Sequence, residues 1–180
     1  MNSKNIVFYN WGRNSKIKPK TISPKNYNEL KKVIKNKKFI VLGNKRSYGD
    51  VAINKRLLIS MEKFNQIKYF DQKNGIIECE SGVLLKDMTA KIIGDKWFGP
   101  ITPGTKYVSL GGMVANNVHG KNIKNNQLKY FIKEIKLLKI DNKIIVCTKK
   151  KNKKIFDLTI GGYGLTCLLY TSDAADEEDS

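Results

Sequence analysis

Three glycine-containing segments could bind an anion through their backbone. They span residues 43–50, 103–112 and 161–164, and each follows a run of residues typical of a β-strand. Glycine permits positive φ and close backbone approach, so consecutive N–H groups can converge on an anion such as a pyrophosphate. Taken singly, each segment also fits an ordinary turn.

Spacing excludes two common nucleotide-binding motifs. Gly162 and Gly164 are followed by Cys167 where a Rossmann fingerprint requires Gly or Ala. Gly120 and Lys121 are preceded by Ala115 where a P-loop requires Gly. Neither standard motif explains the glycine segments.

A few cations could act beside these segments. His119 is the only histidine, and Lys121 lies two residues further on. Taken alone, a histidine after a glycine-rich segment is more often structural than catalytic. Arg46 and Arg13 stand out in a chain with 31 Lys and 3 Arg, which suggests that the planar guanidinium is used at these positions; a surface salt bridge is the alternative.

Helical and strand patterns are mixed along the chain, which predicts an α+β fold. Ser23-Pro24 predicts the start of a helix that ends near Asn36, and a second amphipathic helix is predicted between Gly82 and Gly94. Asn74-Gly75 predicts a hairpin turn. The predicted strands are 39–42, 57–60, 67–70, 76–80, 131–140 and 144–148, followed by a short apolar run before Gly161.

The formal net charge of +18 raises the alternative of a basic nucleic-acid-binding module. Lys spread over the whole chain, with so few Arg, favours nucleotide bias over a binding patch. The densest run, Lys149–Lys154, fits a solvated loop. We therefore expect no nucleic-acid partner, although this module stays the alternative from another functional class.

Cysteine usage and the chain ends indicate the compartment. Cys79, Cys147 and Cys167 are odd in number and lack CxxC spacing, which predicts neither a disulfide framework nor a metal site. No stretch is long and apolar enough to span a bilayer, and the N-terminus lacks a hydrophobic signal core. We expect a cytoplasmic protein, with peripheral membrane association and oligomeric state left open.

The last residues differ from the rest of the chain. Residues 171–180 contain no base and five acids, without the Lys, Asn and Ile bias that precedes them. This change predicts an incomplete domain over residues 8–168 and a non-native acidic tail over 169–180. The chain is then expected to be an N-terminal fragment.

Several of these motifs occur together in one known family. They are Trp11-Gly12-Arg13, Arg46-Ser47-Tyr48-Gly49-Asp50, Pro103-Gly104-Thr105, Gly111-Gly112, His119-Gly120-Lys121-Asn122 and Gly161-Gly162-x-Gly164-Leu165-Thr166. In order and spacing the chain resembles the FAD-binding domain of PCMH-type (vanillyl-alcohol-oxidase-like) flavoproteins over about residues 8–166. It looks most like the decaprenylphosphoryl-β-D-ribose oxidase branch, and sugar-lactone oxidases are more distant kin.

The resemblance implies FAD as cofactor and assigns residues to it. The loop from Val41 to Val51 would wrap the pyrophosphate, and later segments would line the rest of the cofactor channel. The implied FAD-binding residues are Val41, Gly43, Asn44, Lys45, Arg46, Ser47, Tyr48, Gly49, Asp50, Gly104, Ser109, Leu110, Gly111, Gly112, Asn116, Asn117, Val118, His119, Gly162 and Gly164.

The resemblance also implies a reaction. His119, Lys121 and Tyr48 would face the substrate beside the flavin, in an oxidoreductase that takes hydride from a secondary alcohol of a sugar, polyol or polyprenyl-phosphosugar. A sugar-1,4-lactone oxidase of the same superfamily is the alternative. Many relatives attach FAD covalently through a histidine in the first loop, where this chain has Arg46, so non-covalent FAD is expected. Lys45 replaces a further glycine of the ribose-oxidase branch. The resemblance leads us to expect that the chain is truncated before the substrate cap domain of the family.

Overall fold

The computed structural model describes most of the chain. The described residues are 4–5, 7–9, 12–13, 16–35, 37–49, 51–52, 55, 57–120, 127–166 and 168–175, without the side chains of 4, 5, 8 and 169–175. Trp11, Asp50, Lys121 and Cys167, which the motif analysis singled out, lie outside these ranges.

Eleven strands and four α-helices are present in the described residues. The strands are β1 Lys4–Asn5, β2 Phe8–Tyr9, β3 Lys16–Ile17, β4 Lys20–Ile22, β5 Ile40–Leu42, β6 Leu57–Ser60, β7 Ile67–Asp71, β8 Ile76–Glu80, β9 Ile132–Leu138, β10 Ile144–Thr148 and β11 Leu168–Ala175. The helices are α1 Tyr27–Ile34, α2 Leu85–Ile92, α3 Leu110–Ala115 and α4 Lys153–Thr159, with short 3₁₀ turns at Ile93–Asp95 and Leu128–Tyr130.

The strands form two main sheets. The first has the order β1-β4-β6-β5, in which β4 and β5 run parallel to β6. The second has the order β10-β9-β11-β8-β7 and is antiparallel throughout. β2 and β3 form a separate two-stranded ladder. β1 runs antiparallel to β4, so the first sheet is mixed. Helices packed beside a mixed and an antiparallel sheet make an α+β architecture, as the sequence predicted.

Two large apolar cores correspond to the two sheets, and a small third cluster contains Leu42 and Leu58. The first sheet and α1 surround a core that includes Leu30, Ile34, Ile59 and Phe64. The second sheet, α2 and α3 surround a larger core that includes Met113. All four residues of β6 are buried, which explains why apolar and polar residues do not alternate along this strand.

The start of α1 differs from the sequence prediction. The helix begins at Tyr27, and the side chain of Asn26 accepts a hydrogen bond from the Glu29 N–H at 2.9 Å. An Asx cap satisfies one of the free N–H groups of the first turn, so it sets the start in place of Ser23-Pro24.

Two helices occur where none was predicted. α3 begins in the second glycine segment and extends three residues beyond it, and α4 occupies the apolar run before Gly161. Glycine weakens helices by about 1 kcal/mol, so Gly111 and Gly112 conceal the helical pattern. Residues 149–152 are exposed, as expected for a solvated loop. The loop was predicted to continue to Lys154, but α4 already begins at Lys153.

The predicted domain end at residue 168 falls within the second sheet. β11 continues through Ala175 and lies between β8 and β9. In this register Asp173 is placed opposite Glu78 on one side and Glu134 on the other. The non-native origin of residues 169–180 stays a prediction.

Candidate functional site

The first two glycine segments meet at Gly43 and Ser109. β5 ends at Leu42, so Gly43 is the first residue after the strand. A Cβ at Gly43 would lie only 2.4 Å from the Ser109 Oγ. The Asn44 side-chain amide donates a hydrogen bond to the Tyr107 carbonyl at 2.6 Å. Segments far apart in the chain are therefore in direct contact.

Ser109 also starts α3. Its hydroxyl accepts a hydrogen bond from the Gly112 N–H at 3.3 Å, which makes it the N-cap. The Gly111 N–H donates to the Ser81 carbonyl at 2.8 Å, and a Cβ at Gly111 would lie 2.8 Å from the Ser81 Cβ. Only glycine allows α3 to approach the end of β8 this closely.

The third glycine segment contacts the end of α3. The Gly161 N–H donates to the Val114 carbonyl at 3.0 Å, and the Tyr163 N–H donates to the Ala115 carbonyl at 2.8 Å. α3 is thus the element around which all three segments gather.

Gly162 and Gly164 differ in their surroundings. A Cβ at Gly162 would lie 2.1 Å from the Leu158 carbonyl oxygen, so glycine is required there by the packing of α4. Gly164 has φ +76° and open space on its Cβ side. Of the two predicted cofactor residues, Gly164 is the one with room for a ligand.

The segment after α3 uses its polar groups internally. The Asn116 amide donates to the Gly112 carbonyl at 2.8 Å. The Asn117 amide donates to the Gln127 Oε1 at 3.2 Å, and its oxygen accepts from the Lys129 N–H at 3.1 Å. These two predicted cofactor residues have structural roles in the chain. Val118 donates its N–H to the Met113 carbonyl at 3.1 Å.

The predicted substrate-facing side chains are exposed where they are described. Tyr48 is 72% exposed, and His119 is exposed as well. His119 forms an isolated bridge with Gln127, and a Cβ at the adjacent Gly120 would lie 2.7 Å from the Thr102 N. The backbone beside His119 is therefore fixed against the segment that leads into residues 103–112.

A cation–aromatic cluster lies between the first two segments. The Arg46 guanidinium carbon lies 5.7 Å from the centroid of the Tyr107 ring, and the Lys106 Nζ lies 5.9 Å from it. Sequence reasoning missed Tyr107. The available signal was an aromatic residue next to a lysine inside an otherwise small and polar segment.

The site has the features needed for a dinucleotide pyrophosphate. Open space adjoins the Cβ positions of Gly49 and Gly104, so their backbone is accessible. The Ser81 hydroxyl is buried beside Gly111 and has no hydrogen-bond partner in the described part of the chain. Accessible backbone, a free hydroxyl and the nearby Arg46 match what an anionic cofactor requires.

The described ranges contain no group of three or more His, Cys, Asp or Glu side chains placed to bind a metal ion. None of the helices in them is long and apolar enough to cross a bilayer.

Comparison with known proteins gives one matching family model. The model, described as an FAD binding domain, matches residues 19–148. The match includes β4 to β10, the first two glycine segments and α3.

Several curated relatives are similar over most of the chain. L-gulonolactone oxidase of Mus musculus is 24% identical over 159 residues, covering 85% of this chain and 36% of the relative. Decaprenylphosphoryl-beta-D-ribose oxidase of Mycolicibacterium smegmatis is 29% identical over 133 residues, covering 72% and 29%. D-lactate dehydrogenase of Archaeoglobus fulgidus is 26% identical over 160 residues, covering 84% and 35%. The chain spans about a third of the length of these relatives.

Proposed function

Because the chain belongs to the family of FAD-binding domains, as its motifs predicted, we propose that it holds FAD non-covalently in an enzyme that oxidises a secondary alcohol. FAD is the cofactor of the family, and the similar curated proteins are oxidoreductases by name. The proposed substrate class is a sugar, a polyol or a polyprenyl-phosphosugar.

The observation that carries this proposal is the gathering of three glycine segments around α3. Gly43 contacts Ser109, Gly111 contacts Ser81, and Gly161 binds the end of the helix through its N–H. The three segments therefore meet at one helix, and Gly104 and Gly164 have open space on their Cβ side, where a pyrophosphate can approach the backbone.

Non-covalent binding is supported by the residue types of the first loop. The described loop, residues 43–49, contains no histidine, and Arg46 stands where many relatives attach the flavin. A guanidinium cannot form that bond, but it can pair with phosphate through its fork of N–H donors.

We assign the substrate side to Tyr48, His119 and Lys121. The exposure of Tyr48 and His119 leaves both side chains accessible to a small molecule. When bound, FAD supplies the hydride acceptor. The role of His119 and Lys121 is to orient the substrate hydroxyl and to stabilise negative charge that develops during the reaction.

A second candidate is a sugar-lactone oxidase. It is favoured by the similarity to L-gulonolactone oxidases, which covers more of the chain than the similarity to the ribose oxidase. The two candidates share the FAD site and differ in the substrate alone.

The test uses the longest natural protein that contains residues 8–168 of this sequence, which we call the full-length protein. It is loaded with FAD and mixed anaerobically with a polyol, a sugar lactone, a polyprenyl-phosphosugar or D-lactate, while flavin absorbance is followed. We expect the polyol or the polyprenyl-phosphosugar to bleach the flavin, with FAD-free protein as the blank. Bleaching by the lactone alone would favour the second candidate, and bleaching by D-lactate alone would overturn both.

A further inference from the structure

We propose that the Tyr163 side chain contacts one of the planar rings of bound FAD. This inference rests on the proposed function, because it adds a residue to the same cofactor site. The family resemblance assigns Gly162 and Gly164 to FAD, but not the tyrosine between them.

Tyr163 has a backbone conformation that is unfavourable for a tyrosine. Its φ is +51°, and the φ of Gly164 is +76°. The Leu165 N–H donates a hydrogen bond to the Gly162 carbonyl at 2.9 Å, so residues 162–165 form a tight turn with positive φ at both central positions. Such turns favour asparagine and glycine, because a bulky side chain is strained in the left-handed region. The turn itself therefore does not favour tyrosine.

Contacts with the rest of the fold hold this strained turn in place. The Tyr163 N–H donates to the Ala115 carbonyl at 2.8 Å. The hydroxyls of Thr159 and Thr166, which flank the third glycine segment, lie 2.9 Å apart. Strained backbone persists only where the surrounding structure fixes it, and such residues cluster at functional sites.

Packing within the described part of the chain does not account for the tyrosine. Its side chain is 55% exposed and belongs to neither of the two large cores. Among the described residues, none forms a hydrogen bond with its hydroxyl or an aromatic or cation contact with its ring. The ring is therefore available to a ligand.

The surroundings of Tyr163 indicate FAD as that ligand. The Ala115 carbonyl that accepts from its N–H belongs to the last residue of α3, and residues 116–119, which the resemblance assigns to FAD, follow directly. The adjacent Gly164 has open space on its Cβ side. FAD carries two planar ring systems, isoalloxazine and adenine, and aromatic side chains stack on rings of this kind.

The test measures two properties of the full-length protein. These are the dissociation constant of FAD, from quenching of flavin fluorescence, and the midpoint of urea unfolding without FAD. Tyr163→Asn suits the left-handed turn but lacks the ring, so we expect a higher midpoint and about three- to tenfold weaker FAD binding. Tyr163→Leu should weaken FAD binding without raising the midpoint. Tyr163→Phe keeps the ring and should match the parent in both.

Lys96→Asn is the matched control for relief of left-handed strain. Lys96 is exposed, has φ +66° and follows the 3₁₀ turn after α2, outside the three glycine segments. Lys96→Asn should raise the midpoint and leave FAD affinity unchanged. Stability and affinity that change in opposite directions only at Tyr163 separate a ligand contact from a structural role.

Three results would overturn the inference. They are unchanged FAD affinity in Tyr163→Asn and Tyr163→Leu, a lower midpoint together with lower affinity in Tyr163→Asn, and a loss of affinity in Tyr163→Phe as large as in Tyr163→Leu. Failure of the parent protein to bind FAD would instead contradict the proposed function.

Discussion

The Cα of Gly43 faces the hydroxyl of Ser109 so closely that a methyl group at residue 43 would lie 2.4 Å from the Ser109 Oγ. Gly43 directly follows β5 of the first sheet, and Ser109 is the N-cap of α3 beside the second sheet. The same hydroxyl caps α3 through the Gly112 N–H. One pair of small residues thus joins the two halves of the fold at the candidate cofactor site.

The first prediction concerns this pair. Ser109→Ala removes the cap of α3 and should lower the free energy of unfolding by about 1 kcal/mol. Gly43→Ala should force the Ser109 hydroxyl away and cost a similar amount in the parent. In the Ser109→Ala background the Gly43→Ala cost should become smaller, because the atom that it meets is gone. Equal costs in both backgrounds, measured by urea unfolding, would contradict the contact.

The second prediction concerns Glu80, a buried carboxylate between the two cores. Its oxygens accept from the Tyr27 hydroxyl at 3.2 Å and the Gln66 N–H at 2.9 Å, and the Lys68 Nζ lies at 3.0 Å. Glu80→Ala leaves these donors without their acceptor and should cost about 2 kcal/mol in urea unfolding.

Glu78→Ala is the control for Glu80 on the same strand. Glu78 pairs with Lys136 at 2.8 Å, but both side chains keep about a quarter of their surface exposed. We expect a loss below about 1 kcal/mol for this partly exposed pair. A Glu80 variant no less stable than the Glu78 variant would show that the buried carboxylate does not join the cores.

The third prediction is a pH dependence at the β7–β8 turn. Hydrogen bonds from the Asn74 side chain and from the Asn74 and Lys73 N–H groups hold the pKa of Asp71 below its ordinary value of 3.8. A carboxyl with a lowered pKa stabilises the fold above that ordinary value and loses this contribution as the pH falls through the folded-state pKa.

Asp71→Ala should therefore be less stable than the parent at neutral pH. The difference should shrink once the pH falls below 3.8. Thermal unfolding of both proteins across this range measures it. A difference that stays constant down to the lowest accessible pH would contradict an ionised Asp71 in the turn.

Much of the fold could be predicted from local sequence. The Asn74-Gly75 signal sits in the turn between β7 and β8, and the bounds of β6, β8 and β10 match their apolar runs. The spacing excludes the Rossmann and P-loop motifs, so the sequence points to the three glycine segments as the candidate site. The structure brings these segments together around α3. These features depend on residues that are close together in the sequence, so a local pattern is enough to predict them.

The remainder depends on contacts between distant segments. α3 forms with two glycines because Gly111 must pack against Ser81, a requirement that no local pattern reveals. The contact between Tyr107 and Arg46 joins two segments that are far apart in the sequence, so no local pattern indicates it. The family resemblance assigns Asn116 and Asn117 to the cofactor, but in the structure both side-chain amides form hydrogen bonds within the chain.

The most direct test of the cofactor site is an FAD titration of three full-length proteins: the parent, Gly43→Ala and Gly94→Ala. Gly94 has open space on its Cβ side, so its alanine variant controls for glycine loss alone. We predict one FAD per parent chain, released on denaturation, with affinity unchanged in Gly94→Ala and weakened about tenfold or more in Gly43→Ala. A parent that takes up no FAD, or Gly43→Ala that binds as tightly as Gly94→Ala, would contradict the account.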